Sequence, residues 1–489
     1  MNRRNKLALI ILIAVLVSVI GGYLPSKPEE KPNQREVFGE SKASYLDSAR
    51  ESPFASNDFG IPWRVAEVIG VATVEEMVKE IETRKIPHFK ELGVRWARLH
   101  PNTFATFGWS GVDPDRDGKN LDFFKQDALV RLVQENNISL IAVISPLPRD
   151  IEWLEAESYV PEDKEAYFSY VEQLVERYDG DGINDMPGLK YPIRYWQLEN
   201  EPDLHNRVRA HNNPNFCSPD EYFEVLKLTY RAIRKADEEA KVIINLVGVG
   251  QGVGNTSINY LRRLNELGVE DYYDIFSYHI YPQRYDTYVL KENLRKFKEL
   301  VGKKPIWITE SGINGRSENE KEQAAWIVKH HVYHLANGIK KIVWLTFTDM
   351  SPKVPERTVA KYSGLLSFQS TPKLSYYTYK KMVEVLEGSD WDSIHTIQEN
   401  DIYIYRFTKN ENYVWVVWKD KPGMERVRIT LDVKAKDVKI FEAVPKYKTG
   451  REVRNYDTAF KEITANVLES NSQLEFEIGD VPVFVEMAG

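Results

Sequence analysis

Between Val94 and Phe347 the chain alternates short β-branched runs with longer stretches whose apolar residues recur every three or four positions. The short runs are Val94–His100, Leu140–Ser145, Ile193–Glu199, Val242–Val247, Ile275–Tyr281, Pro305–Glu310 and Ile342–Phe347. Apolar runs of this length, closed by Gly, Pro or polar residues, have the pattern of strands buried on both faces. The longer stretches Val74–Leu92, Phe123–Asn136, Glu162–Tyr178, Pro219–Glu238, Glu320–Asn337 and Ser375–Leu386 predict helices. A first strand over Asp58–Val65 completes eight strand–helix units. That repetition predicts an α/β fold, a (β/α)8 TIM barrel over residues 55–388. An open doubly wound sheet is the rival, but no Gly-rich phosphate loop follows the early strands.

The period changes after Gly388. Alternating runs at Ile402–Phe407, Tyr413–Trp418, Val427–Leu431, Leu474–Ile478 and Val481–Glu486, with charged turns such as Lys409–Asn412, predict a C-terminal antiparallel β-sandwich over residues 389–489. At the other end, Arg3, Arg4 and Lys6 precede the uncharged run Leu7–Ile20. A basic flank and an apolar stretch predict a signal peptide or membrane anchor over residues 1–24, which would contact the membrane and put the rest of the chain outside the cell. Residues 25–54, rich in Pro, Glu, Lys and Ser, read as a flexible linker.

Composition narrows the partners. The chain is 42% hydrophobic and 28% charged, which supports a full core, and its net charge of −8 argues against a polyanion. Lys and Arg form no stripe, so nucleic acid is excluded as the main partner. Cys217 is the only cysteine, and no intramolecular disulfide is possible. No His/Cys cluster has the makeup of a zinc site. The acidic loops Asp113–Gly118 and Tyr178–Asp185 read as solvated turns; the first lacks the closing Glu of a calcium loop, having Phe124 at its twelfth position.

Two segments carry candidate chemistry: Tyr195-Trp-Gln-Leu-Glu-Asn-Glu-Pro202 and Pro305-Ile-Trp-Ile-Thr-Glu-Ser-Gly312. Each is a strand-like run ending in Glu and then broken by Pro or Gly, which places a carboxylate at the C-terminal lip of a barrel strand. Two such acids on separate strands can flank a glycosidic bond. Glu199 competes with Glu201, because strand alternation puts Gln197, Glu199 and Glu201 on one side. Trp109, Trp153 and Phe347 are further aromatic side chains with either packing or sugar-stacking roles.

These segments resemble clan A glycoside hydrolases, most closely family 39 (the β-xylosidase and α-L-iduronidase type) or a near relative such as family 5. The resemblance spans about residues 55–489. It implies that Glu201, after Asn200 and before Pro202, is the acid/base at the end of strand 4, and that Glu310 is the nucleophile ending strand 7. It further implies substrate-binding or supporting roles for Asn200, for Arg98 and His100 on strand 2, for His279 and Tyr281 on strand 6, and for Trp344 on strand 8. The expected activity is retaining hydrolysis of an oligosaccharide, polysaccharide or simple glycoside, with no cofactor, since sugar-to-carboxylate transfer needs no electron sink. The alternatives are a silent carbohydrate-binding surface protein or a transglycosylase using the same residues.

Overall fold

The computed structural model describes residues 52–56, 73–100, 103–147, 156–209, 212–249, 256–282, 288–354, 356, 358, 360–420, 426–433, 438–468 and 473–487. The apolar run Leu7–Ile20, residues 25–51 of the expected linker, the expected first strand Asp58–Val65 and Trp153 lie outside them, whereas the last linker position, Phe54, belongs to the barrel. Among the described residues, no helix is long and apolar enough to cross a membrane.

Eight parallel strands close into a barrel in sequence order: β1 (Phe54–Ser56), β2 (Trp96–Arg98), β3 (Ser139–Ile144), β4 (Tyr195–Leu198), β5 (Lys241–Val249), β6 (Ile275–Ile280), β7 (Ile306–Ser311) and β8 (Ile342–Trp344). The barrel therefore starts at Phe54, ahead of the expected run. This strand pairs with both β2 and β8, so it closes the ring. At three residues it is too short to show a period.

Alternation along the strands builds the interior in layers. The lower layer is apolar: Ala55, Trp96, Ile141, Tyr195, Ile243, Ile275, Trp307 and Val343. Two residues further along β2, β4, β5, β6 and β7 come Arg98, Gln197, Asn245, Ser277 and Thr309, all fully buried. This polar layer is internally bonded. Arg98 Nε donates to Gln197 Oε1 at 3.0 Å, and Thr309 Oγ1 donates to Ser277 Oγ at 3.0 Å. It forms a hydrogen-bonded floor directly beneath the carboxylates.

The expected helix Val74–Leu92 is two helices, Val74–Arg84 and Ile86–Leu92, with Pro87 in the first turn of the second. A capping box at Thr73 and Glu76 starts the first of them.

The C-terminal part is antiparallel. One sheet has the order β14-β13-β17-β11-β10-β9, from β9 (His395–Glu399), β10 (Ile402–Lys409), β11 (Asn412–Lys419), β13 (Val438–Pro445), β14 (Phe460–Glu462) and β17 (Val483–Met487). The other joins β12 (Val427–Asp432), β16 (Gln473–Ile478) and β15 (Asn466–Leu468). Asn410 and Glu411, both at positive φ, make the two-residue turn between β10 and β11. Trp415, Val417, Ile429, Phe476 and Val485 fill the space between the sheets. The opposite face, with Tyr403, Tyr405, Trp418, Phe441 and Phe484, joins the barrel's own core. Thr378 Oγ1 donates to Ala443 O at 3.0 Å across that junction. The middle strands of this sheet, β13, β17, β11 and β10, thus pack on both faces.

Candidate active site

Glu201 and Glu310 come together at the C-terminal end of the barrel. One oxygen of each carboxylate and a ring nitrogen of His279 all lie within 4.8 Å of one another. His279 Nδ1 is 2.7 Å from Glu201 Oε1 and 3.5 Å from Glu310 Oε2.

Glu310 reaches this position through a bulge. In β7, Trp307 and Thr309 point inward, so strict alternation would turn Glu310 outward. The β6–β7 register shifts between Tyr278 and His279, so that Tyr278 pairs with Ile308 and His279 with Glu310. The extra residue re-aims the carboxylate into the barrel. Arg98 donates to Glu310 Oε1 at 2.7 Å and the Tyr281 phenol to Oε2 at 2.8 Å. Burial opposes ionisation of Glu310, but the charges of His279, Arg98 and His100 and the Tyr281 bond outweigh it and hold the carboxyl well below its ordinary range. Burial and the adjacent Glu310 push the Tyr281 phenol far up, so it remains a donor.

Glu201 is placed by a backbone that leaves the strand. β4 ends at Leu198, and Glu199 (φ 62°) and Glu201 (φ 54°) are both left-handed. These two turns separate the acids that alternation left equivalent. Glu199 faces Ser145 Oγ (2.6 Å) and the Tyr159 phenol (3.2 Å), and also accepts from the Asn200 N–H (2.9 Å). Burial raises its pKa to about 7, against the lowering effect of these bonds. Glu201, 8% exposed, turns to His279 and Glu310. Asn200 gives its Oδ1 to Arg98 at 2.7 Å, so one guanidinium spans Gln197, Asn200 and Glu310.

Arg98, His100, Asn200, His279 and Tyr281 therefore gather around the pair. Trp344 does not, and this corrects the expectation drawn from the resemblance. Val343 occupies the inward position of β8, so Trp344 points outward, fully buried against the helix Glu320–Ala336. Its ring lies 5.9 Å from that of Trp326, and its indole N–H donates to Ser363 O at 3.0 Å. Phe347 is likewise core, 4.5 Å from Phe89. Trp109 packs on Tyr167 and Tyr170 and donates to Asp113.

Asp203, fully buried, was not foreseen. It accepts from the Val247 N–H at 2.9 Å and from the Ser257 hydroxyl, tying the start of the helix Pro202–Arg209 to β5. Also unforeseen is a buried group on one helix, His330, His331 and His334, whose contacts include Trp326, Trp344, Tyr278, Phe54, Tyr379 and backbone carbonyls. Its polar residue type gave no sign of burial.

Among the described residues, two groups have the ligand types for a cation: Glu201 with His279 and Glu310, and Asp179 with Asp181 and Asp185. In the first, both oxygens of Glu310 already accept hydrogen bonds, one from a guanidinium. In the second, the carboxylates accept from the N–H groups of Gly180, Asp181, Gly182 and Ile183, as loop-forming turns do.

Comparisons with known proteins agree with the fold. Residues 152–372 match the family model of the glycosyl hydrolase catalytic core, a segment containing both glutamates. Among solved structures, a family 39 glycoside hydrolase from Bacteroides cellulosilyticus WH2 is similar in fold, with TM-score 0.61 at 15% identity, over 90% of this chain and 82% of that one. The family 30 subfamily 8 xylanase Xyn30A from Clostridium acetobutylicum gives 0.53 at 15% identity, covering 89% and 96%. The GH51 α-L-arabinofuranosidase from Thermotoga petrophila RKU-1 gives 0.55 at 12% identity, covering 82% and 89%. No curated protein matches the sequence significantly. The solved structures share the fold of this chain, and the matched core supports glycoside hydrolysis.

Proposed function

We propose that this protein is a retaining glycoside hydrolase working by double displacement. The observation that carries the reading is the spacing of Glu201 and Glu310, with one oxygen of each within 4.8 Å of the other. Retaining enzymes hold their two carboxyl groups about 5–5.5 Å apart, whereas inverting enzymes leave about 6.5–9.5 Å for a water. Glu310, kept ionised by Arg98 and Tyr281, attacks the anomeric carbon as Glu201 gives its proton to the leaving oxygen. The C–O bond to the leaving group breaks and a glycosyl ester forms on Glu310. Glu201 then takes a proton from water, which displaces the ester and releases the sugar with its original configuration. Asn200, with Oδ1 held by Arg98, has its amide N–H groups to offer the 2-hydroxyl, a contact that strengthens in the transition state. The substrate class is an oligosaccharide, polysaccharide or glycoside, and the family resemblance favours a β-linkage. The basic flank and apolar run near the N-terminus support a place outside the cell.

A panel of aryl β-xylosides, glucosides, galactosides and glucuronides, with the first-formed anomer followed by NMR, tests this reading. Retention is expected, and an inverted product refutes the double displacement. Glu310→Ala should abolish turnover without loss of folding, and azide should partly restore it as a glycosyl azide. Full activity in that variant refutes the assignment of Glu310.

A further inference from the structure

Asn245 lies on β5, fully buried in the polar layer beneath the carboxylate pair. Its Oδ1 accepts the backbone N–H of Glu201 at 2.9 Å. Its Nδ2 donates to Thr309 Oγ1 at 3.2 Å and Ser277 Oγ at 3.3 Å. Ser277 Oγ in turn donates to Ile244 O at 3.0 Å. One side chain therefore joins the backbone of Glu201 to the residue immediately before Glu310, across four strands. The Glu201 N–H sits in a left-handed turn outside the β4 ladder, where no strand carbonyl meets it. The neighbouring backbone is equally constrained: Gly248 has φ +69°, and a Cβ there would fall 2.2 Å from the carbonyl oxygen of His279.

Resting on the roles given above to Glu201 and Glu310, we infer that Asn245 is a positioning residue that sets Glu201 at proton-transfer distance from the leaving oxygen by holding its backbone N–H. The bridge from Glu201 N through Asn245 to Thr309 ties the acid/base to β7 and thereby defines the spacing of the pair. Without the Oδ1 acceptor, the Glu201 N–H is buried and unmade, and the turn relaxes to recover a partner. A displacement of about 1 Å at a catalytic group lowers rate by up to about 100-fold.

The test uses the full-length protein and two aryl glycosides of the sugar turned over in the panel. One carries a phenol leaving group, which needs a proton, and the other 2,4-dinitrophenol, which departs without one. Asn245→Ala should lower kcat/KM on the phenyl glycoside by about 10- to 100-fold and on the dinitrophenyl glycoside by less than about 3-fold. Asn245→Thr, whose hydroxyl sits one bond nearer the backbone than the Asn245 Oδ1 and so falls short of the Glu201 N–H, gives the same selective loss with a polar side chain still in the layer. Asn245→Asp keeps an oxygen toward the Glu201 N–H and should return the ratio of the two rates to within about 3-fold of wild type at its own pH optimum. Equal losses on both substrates, or an unchanged ratio in the Ala or Thr variant, overturn the inference. Glu201→Ala is measured alongside. If it lacks the selective loss, the role of Glu201 fails; if it shows the loss and the Asn245 variants do not, only the role of Asn245 fails.

Discussion

Glu199 stands two residues from Glu201, is buried and acidic, and does different work, so Glu199→Gln separates the two. Its carboxyl accepts from Ser145, Tyr159 and the Asn200 N–H, whereas Glu310 accepts from Arg98 and Tyr281. Burial lifts its pKa from 4.5 to about 7. A folded-state pKa raised above the unfolded value contributes stability that is present below the unfolded pKa and lost as pH rises through the folded one. At pH 8 the ionised Glu199 therefore costs about 3 kcal/mol relative to a neutral side chain, and at pH 5 under about 1 kcal/mol. Gln is neutral at both and can still accept from the Asn200 N–H. The stability of Glu199→Gln relative to wild type should thus rise by about 2 kcal/mol between pH 5 and pH 8. Parallel denaturation curves at the two pH values measure this difference, in which carboxylates elsewhere cancel. Turnover of the phenyl glycoside should stay within about 10-fold of wild type, against a loss of about 100- to 10,000-fold for Glu201→Gln. A loss in Glu199→Gln equal to that in Glu201→Gln refutes the assignment of the acid/base. A stability difference that does not change with pH refutes the desolvation argument.

Tyr281→Phe removes one of the bonds that keep Glu310 ionised. Its proton affinity should rise, the acid limb of kcat/KM should move to higher pH, and the plateau should fall by about 10-fold; a pH–rate profile checks both. Burial depresses His331 to about 4, against a backbone bond to Ile327, and His334 to about 3, while His330 falls well below its usual value. The unfolded chain takes up these protons from about pH 6.5 downward and the folded protein does not, so stability falls as pH drops below 6.5. Each histidine contributes a slope of up to about 1.4 kcal/mol per pH unit, and His331→Gln should flatten the pH dependence of unfolding by that amount. Trp344→Ala empties a site outside the barrel and should cost about 3–5 kcal/mol of stability while leaving KM of the folded protein unchanged; thermal unfolding and steady-state kinetics separate the two effects.

These outcomes depend on features that differ in how visibly the sequence carries them. The barrel strands between Val94 and Trp344 were legible because each is buried on both faces, which forces an apolar run. Glu201 and Glu310 were legible because chain-breaking residues follow them at strand ends. Where side chains point was harder to see. Strict alternation turns Glu310 away from the barrel and leaves Glu199 and Glu201 equivalent. What corrects both is local backbone geometry: a bulge at Thr309–Glu310 and left-handed turns at Glu199 and Glu201. Neither has a glycine to announce it, because the cost of φ > 0 at a non-glycine residue is met by tertiary hydrogen bonds from Ser145, Tyr159 and Asn245. Trp344 fails in the opposite direction. There the alternation holds, with Val343 inward, and a match of residue type at the end of strand 8 overlooked its parity.

The same contrast explains why Asn245 and the buried histidines carried no signal. Their roles depend on contacts between elements far apart in the chain. Asn245 reads locally as a polar interruption of an apolar strand, a feature that in isolation weakens the strand assignment. It becomes intelligible only once Glu201 N and Thr309 Oγ1 are placed on either side of it, 44 and 64 residues away. Buried polar groups are tolerated when fully satisfied, and a satisfied network specifies a single geometry more sharply than apolar packing does. A site whose reaction depends on carboxylate spacing has most to gain from such a floor. The spacing of Glu201 and Glu310 is thus a property of the layer beneath them, and substitutions there should alter proton transfer before they alter binding.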